Sequence, residues 1–297
     1  MVLNSAQPSV AVVGAGPAGL FAARELSTHG VNVILFNRDI KPGGLAEYGI
    51  LPDKLKMKEG LRAQFKQILS DPNITYYGNI TVGKNHPLTL DQLKNWGFSA
   101  ILVTTGAQGT KWLGLPGEHL PGVYHAKEVV YNYNQLPPFS LTPLKIGKRA
   151  AIIGAGNVMA DVSRYLIHHR KVDEVIDVVR RGPAEVKFDR KELESFVTNI
   201  DLADLDAEIQ RVKPVMLSLG QDPEAPRKLI EEALPKGVPR DSETRFRFRF
   251  LYSPVRVLGN EEHGVEGLEV EENTLVLDGG SGKARGLGTT RVLDVDT

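Results

Sequence analysis

Two glycine-rich stretches of the chain combine residue types and spacing that suit the binding of phosphate groups. They read GAGPAG and GAGNVMA, and each fits the pattern G-x-G-x-x-G/A through the residues Gly14, Gly16, Gly19, Gly154, Gly156 and Ala160. In this pattern the first glycine permits a tight turn, the second lets a pyrophosphate approach the backbone, and the third residue lets a helix pack closely on a strand. The unpaired N–H groups of the following helix then favour an anion. The sequence therefore predicts two dinucleotide-binding turns.

The segments around the first turn have the order that such a turn requires. The apolar run Val10–Val13 predicts a strand buried on both faces, and Leu20, Ala23 and Leu26 follow the turn at helical spacing. A glycine ends that helix, and the run VNVILF predicts the next strand. A strand, a helix and a second strand within about 30 residues form one βαβ unit.

The same order recurs around the second turn, 140 residues later. AAIIGAGNVMADVSRYLIHH predicts a strand, the turn and a helix, and EVIDVVRRG predicts the following strand. We therefore predict an α/β fold with two Rossmann-like dinucleotide-binding domains, covering residues 1–106 and 107–297. AILV, which starts at Ala100, is predicted to be a further buried strand, and RFRFRFLYSPVRVL, GVEGLEVEEN and TRVLDVDT are predicted to be strands as well.

Composition and charge argue against several other functions. The chain has 297 residues and no cysteine, which excludes disulfides, thiolate nucleophiles and iron–sulfur clusters ligated by cysteines of this chain. Lys plus Arg and Asp plus Glu both number 36, so net charge gives no argument for binding nucleic acid or an anionic membrane. The first nine residues lack the features of a secretory signal, and no apolar run is long enough to span a bilayer. We expect a cytoplasmic protein without a nucleic-acid partner, membrane insertion, a metal site or a catalytic side-chain nucleophile.

The ends of the two second strands differ in a way that predicts different ligands. A carboxylate at this place normally accepts hydrogen bonds from the adenosine ribose. Asn37 holds the place after the first turn, and its amide lacks the charge that strengthens such bonds. Arg180 and Arg181 end the strand that follows the second turn. Their two guanidinium groups suit a 2′-phosphate and favour NADP(H) over NAD(H); the alternative is that the two arginines form a solvated strand end. Two turns in one chain predict FAD on the first and NADPH on the second, with hydride passing from nicotinamide to flavin.

Taken together, the motifs resemble the adrenodoxin-reductase-like ferredoxin–NADP⁺ reductases, a family of flavoproteins with two dinucleotide-binding domains. The similarity extends over nearly the whole chain and includes VVGAGPAGLFAA, GGLAEYGILPDK, LPGEHLPGVYHA, IIGAGNVMADVSR and VVRRGPAEVKFDRKEL. The small subunit of glutamate synthase is similar as well, through a loop like GGLAEYGILP and its paired turns. That subunit carries a cysteine-rich N-terminal extension, whereas this chain has no cysteine.

The resemblance implies roles for particular residues. On the FAD side, the resemblance places the pyrophosphate at Gly14, Gly16, Ala18 and Gly19, and the adenosine ribose at Asn37. It places Gly44 and Leu45 in the flavin-side loop and Val82 on the adenine side. Thr105 and Gly106 would lie at the strand end beside the flavin nucleotide. On the NADP(H) side, the second turn comprises Gly154, Ala155, Gly156, Asn157 and Val158. Arg180 and Arg181 form the 2′-phosphate site, and Glu192 lies near the nicotinamide-side ribose or takes part in proton transfer.

The resemblance also implies a function. A member of this family moves hydride between NADPH and flavin and passes single electrons to a ferredoxin-type iron–sulfur protein. Two alternatives stay open, namely an electron-input subunit similar to that of glutamate synthase and a nucleotide-binding fragment without turnover. The last alternative arises because family members continue beyond the point that matches Thr297, so we expect a C-terminally truncated chain with an incomplete FAD domain and a nearly complete NAD(P) domain.

One strand-like run alternates aromatic and basic residues. In RFRFRF the aromatic residues are expected to face a core and the basic ones the solvent: Phe246, Phe248 and Phe250, and Arg245, Arg247 and Arg249. The alternative is that the arginines form a docking face for an acidic ferredoxin. Charged outer faces are common in sheets, so the sequence favours the solvated strand.

Overall fold

The computed structural model describes residues 7–107, 109–278 and 281–297. Parallel sheets with helices at their sides dominate the described chain, which confirms the predicted α/β class. Among the described helices, none is both long and apolar enough to cross a bilayer.

Contacts divide the chain into two compact units. The first comprises Met1–Thr110 and Val130–Pro143, and the second comprises Lys111–Val129 and Leu144–Thr297. The segment from residue 130 to residue 143 thus belongs to the first unit by its contacts. The predicted assignment of residues 1–106 to one cofactor and 107–297 to another stays a prediction.

The first unit is built on a four-stranded parallel sheet with the strand order β3-β2-β1-β4. Its strands are β1 (Ser9–Val13), β2 (Asn32–Phe36), β3 (Ile74–Tyr77) and β4 (Ala100–Val103). Its helices are α1 (Pro17–Thr28), α2 (Leu45–Tyr48), α3 (Leu55–Leu69) and α4 (Leu90–Asn95), while α5 (Ala126–Tyr133) contains the residues at which the chain re-enters this unit.

Strand β1 lies inside the sheet and is covered on both faces, as its apolar sequence predicts. Val12 belongs to a buried cluster with Leu20 of α1 and Phe65 of α3, whereas Ala11 belongs to a cluster on the other face with Phe36. Burial on both faces is the reason for the continuous apolar run rather than an alternating one.

The expectation that the run from Ala100 is a buried strand is wrong in part. It forms β4, but Leu102 is 37% exposed and Val103 is 57% exposed. Within the described residues β4 pairs only with β1, so it is the edge of the sheet. An apolar run does not distinguish a central strand from an edge strand, because position in a sheet depends on the rest of the chain.

The second unit contains a parallel and an antiparallel sheet. The parallel sheet has the order β5-β6-β7, with β5 (Arg149–Ile153), β6 (Glu174–Val179) and β7 (Arg245–Phe250). The antiparallel sheet has the order β10-β9-β8, with β8 (Tyr252–Asn260), β9 (Gly264–Asp278) and β10 (Ser281–Leu293). The helices are α6 (Asn157–Arg164), α7 (Arg190–Leu193), α8 (Leu202–Ser218) and α9 (Ala225–Ala233), and a π-helical segment continues α6 over Tyr165–Arg170.

The two sheets of the second unit share a core. Ile176 and Val178 on one face of β6 pack in a buried cluster with Tyr252, Val265 and Val270 of the antiparallel sheet. The strands predicted from RFRFRFLYSPVRVL and GVEGLEVEEN supply this cluster. The antiparallel sheet therefore stabilises the strand that ends in the predicted 2′-phosphate site.

Strand β7 confirms the prediction for its aromatic residues and for Arg245, whose side chain is 56% exposed, and corrects it for the other two arginines. Phe246, Phe248 and Phe250 are at most 2% exposed. Arg247 and Arg249 do not face solvent, because their side chains are only 23% and 14% exposed. Both donate to the carboxylate of α8's Asp204 at 2.7–2.9 Å. This ion-pair network joins strand to helix and leaves these two arginines committed within the fold.

A carboxylate without a hydrogen-bond partner lies in the middle of β6. Asp177 is 0% exposed, and neither of its carboxyl oxygens has a partner among the described residues. It lies opposite Phe248 of β7 and Ile152 of β5 in the sheet. Burial raises the pKa of Asp177 well above its usual range, because the charged form cannot be solvated there.

Candidate dinucleotide-binding sites

The first glycine turn has two glycines that the fold requires and one that it leaves open. Gly14 has φ +111°, and an added Cβ there would lie 2.5 Å from the carbonyl oxygen of Thr104. A Cβ on Gly19 would lie 1.9 Å from the carbonyl oxygen of Gly14. A Cβ on Gly16 would meet nothing within 4 Å. The open space beside Gly16 is where the sequence pattern expects a pyrophosphate.

Helix α1 presents free N–H groups at this turn. Gly16 is its N-cap residue and provides no side-chain cap, and Pro17 at the first helical position has no N–H. The N–H groups of Ala18 and Gly19 lie in the first turn, where a helix has no acceptor for them. With the positive end of the helix dipole, these groups suit an anion.

Asn37 lies at the end of β2 but is bound within the protein. It is 6% exposed, and its Oδ1 accepts a hydrogen bond from the N–H of Ala15 at 3.1 Å. Its Nδ2 donates to the carbonyl oxygens of Asp39 and Lys41, at 2.8 and 3.2 Å, and to the hydroxyl of Tyr76 at 3.2 Å. Asn37 therefore ties the turn to the loop after β2, and its contact with a ribose stays a prediction.

The loop after β2 returns to the turn at two glycines. The N–H of Gly43 donates to the carbonyl oxygen of Ala15 at 2.7 Å. Gly44 has φ +50°, and a Cβ there would lie 3.0 Å from Cα of Gly16, so only glycine fits this close approach comfortably. Leu45 follows at the start of α2 and is 63% exposed. The structure thus brings Gly44 to the first turn, and a flavin-side role for Gly44 and Leu45 stays a prediction.

An ion pair with a buried carboxylate anchors this loop. Glu47 of α2 is 6% exposed, and Arg62 of α3 donates to both of its carboxyl oxygens at 2.7 and 2.6 Å. The hydrogen bonds from Arg62 hold the pKa of Glu47 below its usual range, against the opposing effect of burial. The pair fixes α2 against α3 directly after the glycine loop.

The remaining residues predicted for the first site lie at the same end of the sheet. Thr105 and Gly106 follow β4, and a Cβ on Gly14 would lie 3.1 Å from the backbone nitrogen of Thr105. Val82 forms a single bridge with Leu88, shortly after the segment that binds the carbonyl oxygen of Asn37.

The second turn is open at both of its glycines. Gly154 has φ +114°, which favours glycine, and a Cβ on either Gly154 or Gly156 would meet nothing within 4 Å. The N–H of Gly154 donates to the carbonyl oxygen of Val178 in β6 at 3.1 Å. Gly156 is the N-cap residue of α6 and gives no side-chain cap, so the first N–H groups of this helix are available to a ligand.

A cavity of about 750 Å³ opens onto the second turn. Its lining includes the turn residues from Gly154 to Val158, Lys187 and apolar residues such as Trp112, Ile146 and Val257. A cavity of this volume is large enough for a cofactor-sized ligand. The glycine turn and the many apolar residues of the lining suit a molecule with a phosphate part and an aromatic part.

Asn157 is held by a residue that the sequence analysis did not identify. Its Nδ2 donates to Oδ2 of Asp189 at 2.9 Å, and its Oδ1 accepts from the N–H of Asp189, also at 2.9 Å. The N–H of Lys187 donates to the carbonyl oxygen of Ala155 at 2.8 Å. The only sequence signal for these contacts was the position of the segment shortly after the arginine pair.

Arg180 and Arg181 follow β6, as predicted, and their guanidinium groups make no ion pair within the described chain. Their backbone is nevertheless fixed. The buried amide of Asn273 donates to the carbonyl oxygen of Arg180 at 3.1 Å, and the N–H of Leu251 donates to that of Arg181 at 3.1 Å. Two uncommitted cations on a fixed backbone suit a phosphate.

Glu192 lies in the four-residue helix α7, close in sequence to the segment that contacts the second turn. Its carbonyl oxygen accepts a hydrogen bond from the hydroxyl of Ser195 at 2.6 Å. A role near the nicotinamide-side ribose stays a prediction. The described residues contain no cluster of three side chains that could hold a metal ion.

The residues of both turns fit the pyrophosphate of a dinucleotide. Each turn has a glycine whose Cβ position is open space, a helix without a side-chain N-cap, and a first glycine with positive φ. The second turn adds two cations without ion-pair partners among the described residues, which fits a 2′-phosphate better than free ribose hydroxyls.

Comparisons with known proteins agree with this geometry. Residues 8–200 match the family model of pyridine nucleotide-disulphide oxidoreductases. The NADPH-ferredoxin reductase FprA of Mycobacterium tuberculosis is 32% identical over 306 residues, covering 91% of this chain and 64% of that protein. The mitochondrial NADPH:adrenodoxin oxidoreductase of Salvelinus fontinalis is 31% identical, covering 98% of this chain and 64% of that protein.

Structural comparison also gives FprA. The structure of Mycobacterium tuberculosis FprA in complex with NADPH matches with a TM-score of 0.79 and 29% identity, over 98% of this chain and 69% of that one. The chain thus spans about 64% of the length of the curated relatives that it matches. The chain belongs to the pyridine nucleotide-disulphide oxidoreductases, and within them to the adrenodoxin-reductase-like ferredoxin–NADP⁺ reductases.

Proposed function

We propose that the chain is the NADPH- and FAD-binding part of an oxidoreductase that passes electrons to a ferredoxin-type iron–sulfur protein. The observation that carries the proposal is the uncommitted pair Arg180–Arg181 beside an open, uncapped dinucleotide turn. The relatives, an NADPH-ferredoxin reductase and an NADPH:adrenodoxin oxidoreductase, support NADPH as the nucleotide and an iron–sulfur protein as the acceptor. A cytoplasmic location belongs to the same proposal.

Within this proposal the first turn holds FAD. The N–H groups of Ala18 and Gly19 bind its pyrophosphate beside the open face of Gly16, and the loop at Gly44 and Leu45 lies on the flavin side. When bound, FAD supplies the chemistry that accepts two electrons as hydride from NADPH and releases them singly. The task of this chain is to bind and orient it.

The second turn holds NADP(H). The N–H groups at the start of α6 bind the pyrophosphate, and Arg180 and Arg181 bind the 2′-phosphate through charge-assisted hydrogen bonds. The apolar walls of the 750 Å³ cavity exclude water from the rest of the ligand. Among these residues binding and orientation account for every step, and no side chain forms a covalent bond.

The test is an anaerobic titration of the protein with FAD and then with NADPH or NADH. We expect a flavin spectrum that bleaches with NADPH at lower concentration than with NADH, and reduction of an added ferredoxin. A preference for NADH would contradict the role of the arginine pair. Protein that binds NADP⁺ but acquires no flavin spectrum would favour a nucleotide-binding fragment without turnover.

A further inference from the structure

Three residues, Lys187–Asp189, lie across the second turn and are called the strap from here on. The strap makes three hydrogen bonds to the turn. The N–H of Lys187 binds the carbonyl oxygen of Ala155 at 2.8 Å, and Asp189 exchanges two hydrogen bonds with the side chain of Asn157 at 2.9 Å each. Three bonds from the two outer residues fix the strap relative to the place where the turn binds a ligand.

The middle residue of the strap anchors it in the core of the second unit. The ring of Phe188 packs against Phe196 and Phe248, with ring centroids 6.1 and 6.2 Å away. The flanking residues Val186 and Asp189 have extended backbone angles. Because side chains alternate in extended chain, the packing of Phe188 against Phe196 and Phe248 directs Lys187 and Asp189 away from these rings. Lys187 lines the cavity at the turn.

The ammonium group of Lys187 is available for a ligand. Its side chain is exposed, and no ion pair or hydrogen bond joins it to any carboxylate in the described ranges. The neighbouring carboxylate of Asp189 already accepts a hydrogen bond from Asn157. The arginines of β7 are different, because Arg247 and Arg249 are paired with Asp204. A lysine that remains unpaired at an anion-binding turn has its charge free for a phosphate.

We propose that Lys187 binds the pyrophosphate of the nicotinamide dinucleotide at the second turn. The inference rests on the proposed function and assigns this cation a phosphate different from that of the arginine pair. Lys187 and the turn residues line one cavity, whereas neither Arg180 nor Arg181 is among the described residues that line it. Lys187 thus supplies a positive charge to the phosphates that the helix N–H groups of α6 bind, and it offsets the negative charge of Asp189.

Three ligands distinguish binding of the pyrophosphate from binding of the 2′-phosphate. NADP⁺ carries both, ADP carries a pyrophosphate without the 2′-phosphate, and 2′-AMP carries only the 2′-phosphate. Their dissociation constants are measured by calorimetry with the unmodified chain, Lys187→Met, Lys187→Arg and the matched control Arg181→Met. Thermal unfolding of each variant without ligand checks that the substitutions leave the fold unchanged.

Lys187→Met is expected to weaken NADP⁺ and ADP by about fivefold each and to leave 2′-AMP within twofold, as for one exposed ion pair. Lys187→Arg should keep most of the affinity because the charge remains. Arg181→Met should show the opposite selectivity, weakening NADP⁺ and 2′-AMP but not ADP. Unchanged ADP affinity in Lys187→Met, or an equal loss for all three ligands, would overturn the proposal for Lys187.

Failure of the proposed function gives a different result. If the unmodified chain bound NADP⁺ no more tightly than NAD⁺, the arginine pair would not select a 2′-phosphate, whatever Lys187 does. If it does select NADP⁺ but Lys187→Met behaves like the unmodified chain towards ADP, only the inference about the strap is wrong.

Discussion

Three glycine-to-alanine substitutions distinguish residues that the fold needs from residues that a ligand needs. At Gly16 an added Cβ meets nothing within 4 Å, and the backbone angles, φ −73° and ψ −180°, are allowed for alanine. Gly156 is equally open, with φ −117° and ψ 180°. At Gly19 the Cβ would lie 1.9 Å from the oxygen of Gly14, about 1.1 Å inside the 3.0 Å that real contacts respect.

The expected effects on stability follow from these distances. Alanine is a poorer N-cap residue than glycine by roughly 0.5–1 kcal/mol, but it lowers the entropy of the unfolded chain by an amount worth about 0.4–1 kcal/mol. The two effects nearly cancel, so Gly16→Ala and Gly156→Ala should leave the free energy of unfolding within about 1 kcal/mol. Gly19→Ala must separate α1 from the turn, and backbone overlap of this size should cost about 3 kcal/mol or more.

Each of the two tolerated substitutions should weaken the binding of one cofactor and leave the binding of the other unchanged. A methyl group on Gly16 occupies the space beside the first helix, so Gly16→Ala should weaken FAD at least about tenfold, or about 1.4 kcal/mol, and spare NADP⁺. Gly156→Ala should weaken NADP⁺ and spare FAD. Circular dichroism gives the unfolding temperatures, flavin fluorescence gives FAD binding, and calorimetry gives NADP⁺ binding. A stable Gly16→Ala protein that binds FAD normally, or that loses both ligands equally, would refute the assignment of one cofactor to each turn.

Three further predictions concern the second unit. Asp177→Val should raise the free energy of unfolding at pH 7 by about 1–3 kcal/mol, because it removes a buried, unpartnered carboxyl; urea denaturation at pH 7 measures it, and a loss of stability would show that Asp177 has a partner. Glu174 accepts hydrogen bonds from Arg245 and Arg247 that lower its pKa despite burial, so the stability it contributes is present above pH 4.5 and is lost as pH falls through the lower folded-state pKa. Between pH 7 and pH 3 the free energy of unfolding should therefore fall more steeply for the unmodified chain than for Glu174→Gln, and an equal fall in both proteins would contradict the pairing. Asn273→Ala should cost about 1–3 kcal/mol of stability, since it leaves the carbonyl oxygen of Arg180 unpaired, and thermal unfolding of Asn273→Ala beside Asn273→Asp tests whether the amide donor is what matters.

The parts of the fold that the sequence predicted are those governed by local rules. The tight turn needs glycine at Gly14 and Gly154 because φ is positive there, and that requirement is visible in the sequence. The apolar run of β1 is buried on both faces, as its composition indicates. The aromatic positions of β7 followed from alternation alone.

The features that the sequence did not predict depend on contacts between distant residues. Arg249 is paired because Asp204, 45 residues earlier, lies on the helix that covers β7. Asn37 is bound internally because the loop after β2 folds back on it, which its position at a strand end does not reveal. Lys187 gave no signal, since its place at the turn depends on the ring of Phe188 reaching an aromatic cluster whose other members lie up to 60 residues away.

Both glycine turns are held by a peptide N–H that comes from well downstream. Gly43 binds the oxygen of Ala15, and Lys187 binds that of Ala155, at 2.7 and 2.8 Å. A minimal nucleotide-binding peptide cut from this protein at the end of β2 or β6 would keep its strand, turn and helix but lose this tether. The smallest self-sufficient module must therefore extend past residue 43 or residue 187, and the boundaries of engineered or swapped cofactor modules should be placed beyond those points.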